Sequence, residues 1–405
     1  MNARQQTTCA IVGGGPAGMM LGLLLARAGV ATVVAEKHTD FLRDFRGDTI
    51  HPSTLALFDE LGLQDALLAL PHQKTRHLNA HFGTRRLRIA DFSRLPLRAP
   101  FVAFMPQWEF LDFLAREGAR HAAFELRMNT ACVGLIEVEG RVQGLRLSGP
   151  DGEYELEATL VIGADGRGST VRAAAGLVVE TLGAPMDVLW FRLSRAPGDD
   201  DEPFVCFAGG RIFILINRRE HWQCGYVIPK GTVEAVRAAG LPAFREQLAA
   251  LAPFIAGRLA EVADWEAVKL LAVAVDRLPR WHRPGLLCIG DAAHAMSPIA
   301  GVGINLAIQD AVACANALAR PLREQALHEA DLAAVQARRW WPTVMTQRLQ
   351  LAIQQRVIGS VLGASGTLRP PLAVRALDAL PWLQGLTARL IGIGVRPEHV
   401  RSPAT

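Results

Sequence analysis

An α/β protein is what this sequence predicts: one domain on a parallel sheet, an inserted antiparallel-sheet domain that interrupts it, and a helical C-terminal region. Three observations carry the prediction. From Cys9 to Glu36 the order is strand, glycine turn, helix, strand, acid. Two further glycine–aspartate segments, near residues 163–172 and 290–305, each follow a buried apolar run, and alternating apolar runs lie between them.

The first segment has a physical reason for each part. Cys9–Val12 is an apolar strand leading into Gly13, Gly14, Gly15 and Gly18, then a helical run to Arg27, a stop at Gly29, and a second apolar run to Ala35. Gly13 permits a sharp exit from the strand, Gly15 carries no side chain to keep a pyrophosphate off the backbone, and Gly18 lets the helix lie close on the sheet. The phosphates would meet free N–H groups at the helix start, where Pro16 and Ala17 stand. Glu36, followed by Lys37, falls where an acid accepts hydrogen bonds from an adenosine ribose. The unit reads as a Rossmann-like dinucleotide site, with a plain glycine-rich turn as the competing reading.

Bulk properties exclude other classes. The 405 residues are 50% hydrophobic and 20% charged with net charge +4, a globular composition that gives no reason to expect nucleic acid. Six cysteines are scattered without a Cys-x-x-Cys pair, which reads as buried thiols in a reducing, cytoplasmic compartment. Cys9–Ala26 is uncharged, but its glycines and Pro16 argue for strand, turn and helix instead of a transmembrane segment. The polar residues 1–8 give no sign of a secretory leader.

Further along, Pro52 opens an amphipathic helix with a break at Gly62, and short alternating runs occupy Thr75–Phe104. A helix starts near Pro106–Gln107, strands follow to Gly163, and alternating runs return over residues 180–230. Two antiparallel segments between dinucleotide-fold segments imply one discontinuous second domain. The expected division is 1–74, 102–180 and 276–325 for the dinucleotide domain, 75–101 and 181–275 for the second, and 326–405 for the helical region.

The second signature is Gly163-Ala164-Asp165-Gly166-Arg167-Gly168-Ser169-Thr170-Val171-Arg172. The third is Gly290-Asp291-Ala292-Ala293-His294, followed by Ser297-Pro298 and Gly301-Val302-Gly303-Ile304-Asn305. With the first fingerprint, over residues 9–320, this trio resembles the class A flavin-dependent aromatic monooxygenases, the p-hydroxybenzoate hydroxylase fold. The closing Arg396-Pro397-Glu398-His399-Val400 also recurs in that family, with no mechanical role apparent from the sequence.

The resemblance implies FAD, with Gly13, Gly15 and Gly18 at the pyrophosphate and Glu36 at the ribose. Arg46 and Gln107 match family residues that contact FAD, Asp165 lies in a motif linked to FAD and the nicotinamide, and Asp291 in one that holds the ribityl hydroxyls. Pro298 matches the proline beside the reactive carbon of the ring. The helix opened by Gly301, Val302, Gly303, Ile304 and Asn305 would stabilise negative charge on the flavin pyrimidine. Val302 stands where the family often has glutamine or lysine, so only backbone contacts remain there. His294 and Tyr226 are candidates for a chemical role, with loop structure and sheet packing as the competing readings. Arg192, Arg211 and His221 could recognise an acidic substrate, or be solvated strand residues.

The implied reaction uses NADH or NADPH and O2 to hydroxylate a small aromatic ring through a flavin C4a-hydroperoxide, in a monomer or homodimer. A single dinucleotide fingerprint implies that the nicotinamide visits without a domain of its own. A flavin-dependent halogenase shares the fold, and Trp222–Pro229 partly echoes the halogenase Trp-x-Trp-x-Ile-Pro segment, with Cys224 in place of the second tryptophan. The same motifs would also suit a non-hydroxylating flavoprotein oxidoreductase, or a flavin-bearing binding protein without turnover.

Overall fold

The computed structural model describes residues 5–42, 49–83, 85–358, 361 and 370–404. It has the α/β architecture expected: a Rossmann-like sheet, an inserted antiparallel sheet, and a helical C-terminal region. The first sheet runs, in spatial order, Phe124–Arg127, Thr32–Ala35, Gln5–Val12, Gly152–Gly163 and Leu286–Cys288, all parallel, with His282–Arg283 antiparallel at one edge. A hairpin of Ala131–Val138 and Arg141–Gly149 adds to the Gly152–Gly163 strand. Both neighbours of Gln5–Val12 are reached by crossovers, which is why its central residues Cys9, Ala10 and Ile11 are fully buried.

Helix α1, Pro16–Arg27, is buried at every position from Ala17 to Ala26, an all-round apolar helix between the sheet and the rest of the core. Each of its fully buried leucines contributes about 2 kcal/mol. Gly18 makes the close approach possible, because a Cβ there would sit 2.0 Å from the Gly13 carbonyl oxygen.

The second sheet runs Lys269–Leu271, Met186–Ser194, His221–Pro229, Arg211–Asn217, Phe204–Ala208, His77–Phe82 and Arg85–Asp91. Strict alternation gives it two different faces. On the outer face Phe191, Phe213, Cys224 and Tyr226 pack under Phe244 and Leu248 of α2, Leu241–Leu251. On the inner face Trp190, Ile212 and Val227 are buried while Ile214, Ile216 and Phe207 are only partly covered, and Ile299 from the third signature packs against this group.

Two long helices close the fold. α3, Gly303–Arg323, packs on α1, and α4, Glu329–Ile353, packs on α3. The stretch Ile299–Arg323 is long and apolar enough to cross a membrane by composition, yet about two thirds of its most apolar window is buried within the protein's own core. The closing motif is held to these helices: Glu398 accepts from Arg338 Nε at 2.6 Å, and Asn316 Nδ2 donates to the His399 carbonyl at 2.8 Å.

Candidate active site

Three strands of the first sheet end level. Val12 pairs with Gly163 and Gly163 with Cys288, so the loops beginning at Gly13, Ala164 and Ile289 leave the same carboxyl edge side by side. That edge is where open α/β sheets bind ligands.

The first loop fits a pyrophosphate. Gly13 adopts φ +107°, and a Cβ on it would lie 2.4 Å from the Ala164 carbonyl oxygen, so the first and second loops touch through this glycine. Around Gly15 a Cβ would meet nothing within 4 Å, and α1 begins there without a side-chain cap. The helix N-terminus therefore faces open space with its first N–H groups available. Glu36 is fixed by the Gly14 N–H at 2.8 Å and the His38 N–H at 3.1 Å, while Lys37 is exposed.

The second and third loops are tied by Arg167, a residue that the sequence motifs do not single out. Its Nε donates to Asp291 Oδ2 at 3.2 Å and its Nη2 to the Met296 carbonyl at 3.2 Å. Asp291 remains 32% exposed, able to accept further hydrogen bonds. Asp165 differs. Its carboxylate accepts from Ser169 Oγ and from the Val171 N–H at 3.1 Å, so it shapes the start of the Thr170–Ala174 helix. No spacing rule separates these two aspartates; only the fold shows that one is turned into a helix end and the other is presented.

Between Pro298 and α3 the backbone turns sharply, with φ +60° at Ala300 and +61° at Gly301. A Cβ on Gly301 would meet Thr49 Oγ1 at 2.8 Å. Val302 and Gly303 begin α3, again without a side-chain cap, so its positive end is available beside partly exposed Pro298 and Ile304. The side chain of Asn305 is spent inside the protein. It accepts from the His51 N–H and Thr54 Oγ1, both at 2.8 Å, and donates to the Thr49 and Gly301 carbonyls. Asn305 thus holds this loop to the Pro52 helix and contributes no free group to a ligand. His51, before that helix, is fully buried, and burial pushes its pKa down to about 4. Gln107 opens the helix to Gly118, half-buried. Arg46 lies outside the described residues.

The side chains of two catalytic candidates are turned into the protein's packing. His294 is 1% exposed, with Nε2 2.6 Å from Asp310 Oδ2 and its ring against Trp281. Burial alone would raise the Asp310 carboxyl, but His294 and Arg339 outweigh it and hold the carboxyl below the usual range. Tyr226 points to the outer face, where its hydroxyl donates to Gln247 Oε1 at 2.9 Å and its ring meets Phe244 edge-on. Trp222, the residue behind the halogenase echo, lies on the same covered face, 1% exposed and bonded to Asp199. Arg211 interacts with Tyr226, whereas Arg192 and Arg218 lie close enough to His221 to lower its pKa, secondary to burial.

A family model described as an FAD-binding domain matches residues 6–348. A 6-methylpretetramide 4-monooxygenase of Streptomyces rimosus is 34% identical over 376 residues, spanning 91% of this chain and 88% of that protein. The chain spans about three fifths of the length of several less similar monooxygenases that it also matches. Among solved structures, PqsL, a probable FAD-dependent monooxygenase from Pseudomonas aeruginosa, superposes with TM-score 0.75 at 23% identity, covering 89% of this chain and 100% of that one. The p-nitrophenol 4-monooxygenase PnpA from Pseudomonas putida gives 0.77 at 18% identity, covering 98% and 100%. Both share the fold.

Proposed function

This chain belongs to the FAD-binding domain family of FAD-dependent aromatic monooxygenases, and from that premise we propose that it hydroxylates an extended planar phenol lying on the inner face of the second sheet. Bound FAD supplies the redox chemistry, taking reducing equivalents from NADH or NADPH and activating O2.

The protein's residues bind and orient. The N–H groups at Gly15 and the start of α1 would hold the pyrophosphate, Glu36 the ribose, and Asp291 the ribityl hydroxyls with Arg167 fixing its direction. The uncapped start of α3 at Val302 and Gly303 stabilises negative charge on the pyrimidine edge. Pro298 stands next to Ile299, whose side chain reaches the inner sheet face, so an aromatic ring on that face would lie near the residue assigned to the reacting edge of the cofactor. Trp190, Ile212, Ile214, Ile216 and Val227 line that face, an apolar floor that excludes water from the reacting atoms. We take this apolar floor to suit a fused aromatic ring system; the Streptomyces rimosus relative is named for 6-methylpretetramide.

The observation that carries this reading is the level ending of three strands, Val12, Gly163 and Cys288, with Ile299 of the third loop packed against the apolar inner face of the second sheet. The test is anaerobic stopped-flow with the purified yellow protein, NADH or NADPH, and phenols of one to four rings such as 1-naphthol and emodin. Flavin bleaching accelerated by a fused-ring phenol, with oxygen incorporated on re-aeration, is expected. Acceleration by single-ring phenols only would overturn the substrate class, and no acceleration by any would overturn the placement of the ring.

A further inference from the structure

The C-terminal region, which carries no glycine signature, faces the third signature with a row of buried polar side chains from α4. Gln347 Nε2 donates to the carbonyls of Asp276 at 2.7 Å and Ala295 at 3.1 Å. One turn on, Gln350 Oε1 accepts from the Ser297 N–H at 3.1 Å, while its Nε2 donates to the carbonyls of Ser297 at 3.0 Å and Ile299 at 3.1 Å. Beyond the end of α4, Gln354 Nε2 donates to Ser297 Oγ at 2.7 Å. Gln347 and Gln354 are fully buried and Gln350 is 3% exposed. A glutamine amide that both accepts and donates to one residue's main chain does what a neighbouring strand would do. Pro298 has no N–H of its own, so besides its carbonyl, which accepts the Gly301 N–H at 3.1 Å, its anchoring runs through Ser297 and Ile299.

Two turns before Gln347 the same helix presents Arg339, 1% exposed, whose Nε donates to Asp310 Oδ1 at 2.9 Å. The other oxygen of Asp310 accepts the Gly290 N–H at 3.0 Å, so the chain of bonds continues to the residue before Asp291. Arg339 Nη1 reaches Glu398 of the closing motif at 3.4 Å, and the Glu398 N–H donates to Gln309 Oε1 at 2.5 Å. The motif thereby fixes the register of α4 against α3. A rotation or slide of α4 would move Arg339 and the glutamines together.

We propose that Gln350, held in register by Arg339 and Glu398, is a positioning residue for Pro298 and sets how that proline meets the flavin. The proposal rests on the assignment of Pro298 to the reacting edge of the cofactor, and the experiment separates the two. Pro298→Ala, Gln350→Met and the double variant are compared in the FAD-loaded protein by visible circular dichroism of the bound flavin. Hydrogen peroxide released per NADPH consumed is measured beside it. Gln336→Ala is the control, because Gln336 makes main-chain bonds of the same kind from the same helix, to Trp281 and Pro279.

Pro298→Ala is expected to alter the dichroism and raise the peroxide ratio. Gln350→Met should produce the same change, roughly two- to tenfold in peroxide, with the double variant no worse than Pro298→Ala alone. Gln336→Ala should lower the melting temperature and leave both flavin readouts unchanged. If Pro298→Ala changes neither readout, the assignment of Pro298 fails. If it changes both and Gln350→Met changes neither, or the two effects simply add, the positioning role fails. Should Gln350→Met not fold, Glu398→Gln disturbs the register from outside the loop, and a wild-type flavin spectrum in that variant overturns the proposal.

Discussion

The two sheets of this protein are held by different physics. At the carboxyl edge of the first sheet the geometry is written in main-chain groups and short polar contacts: glycines with no room for a Cβ, an acid fixed by two N–H groups, an arginine across two loops. The second sheet is packed by Phe244 and Leu248 on its outer face and by Val273 and Val361 on part of its inner face, which also keeps partly exposed Ile214, Ile216 and Phe207. A site that grips a common cofactor through its backbone tolerates few residue types. A site that accommodates one substrate through apolar contact tolerates many.

The comparison breaks most visibly at the glycines. Gly18→Ala drives a Cβ into the Gly13 carbonyl and is expected to cost roughly 3 kcal/mol or more and to yield colourless protein. Gly15→Ala, in open space, should keep the melting temperature of the flavin-free protein and weaken FAD about tenfold. Absorbance of the bound flavin in the visible range and thermal melting of both variants decide it. If Gly18→Ala stays yellow and stable, the close-approach argument is wrong.

The two faces of the second sheet come next. Phe213→Ala on the outer face, fully buried, should lose about 3–5 kcal/mol in urea unfolding. Ile214→Ala on the inner face should lose only about 1–2 kcal/mol and shift KM for the aromatic substrate instead. Equal losses with unchanged KM would put the substrate elsewhere.

Acid sharpens the contrast further. In the second sheet's domain, Arg258 beside Asp199 holds its carboxyl at about 2, with the Trp222 N–H among the further donors. A depressed carboxyl stabilises the fold at pH values above its unfolded pKa of about 3.9, and that contribution is lost as pH falls through the folded value. Asp199→Asn should therefore lower the melting temperature at pH 7 and flatten its fall between about pH 4 and pH 2, followed by differential scanning calorimetry.

The smallest effect is expected at Tyr226. Tyr226→Phe removes one hydrogen bond to Gln247 and should cost about 1 kcal/mol, leaving kcat/KM within about twofold of wild type. A drop of about a hundredfold would return the phenol to the chemistry.

Much of the first region was legible because its signals are local. Gly13, Gly15, Gly18, Glu36 and Asp291 lie within a few residues of a strand end, where spacing along the chain is spacing in space. The surroundings of His294, Asn305 and Tyr226 were not legible, for the opposite reason. Each is a polar residue whose partner, Asp310, Thr54 or Gln247, is fixed by packing that no spacing encodes. Arg167 was passed over inside a motif read mainly for its aspartate and glycines.

The sequence by itself determined the parallel sheet, the order of its three ligand loops and the cofactor they suit, because strand periodicity, glycine φ values and helix-end N–H groups are local properties. Tertiary structure alone decided which face of the second sheet is fully covered and which aspartate is presented. It also gave the closing Arg396–Val400 motif a task, at the end of a bonded path from Glu398 through Arg339 and Asp310 to Gly290. Those outcomes depend on contacts between residues tens to hundreds of positions apart, whose energies exist only once the helices have packed.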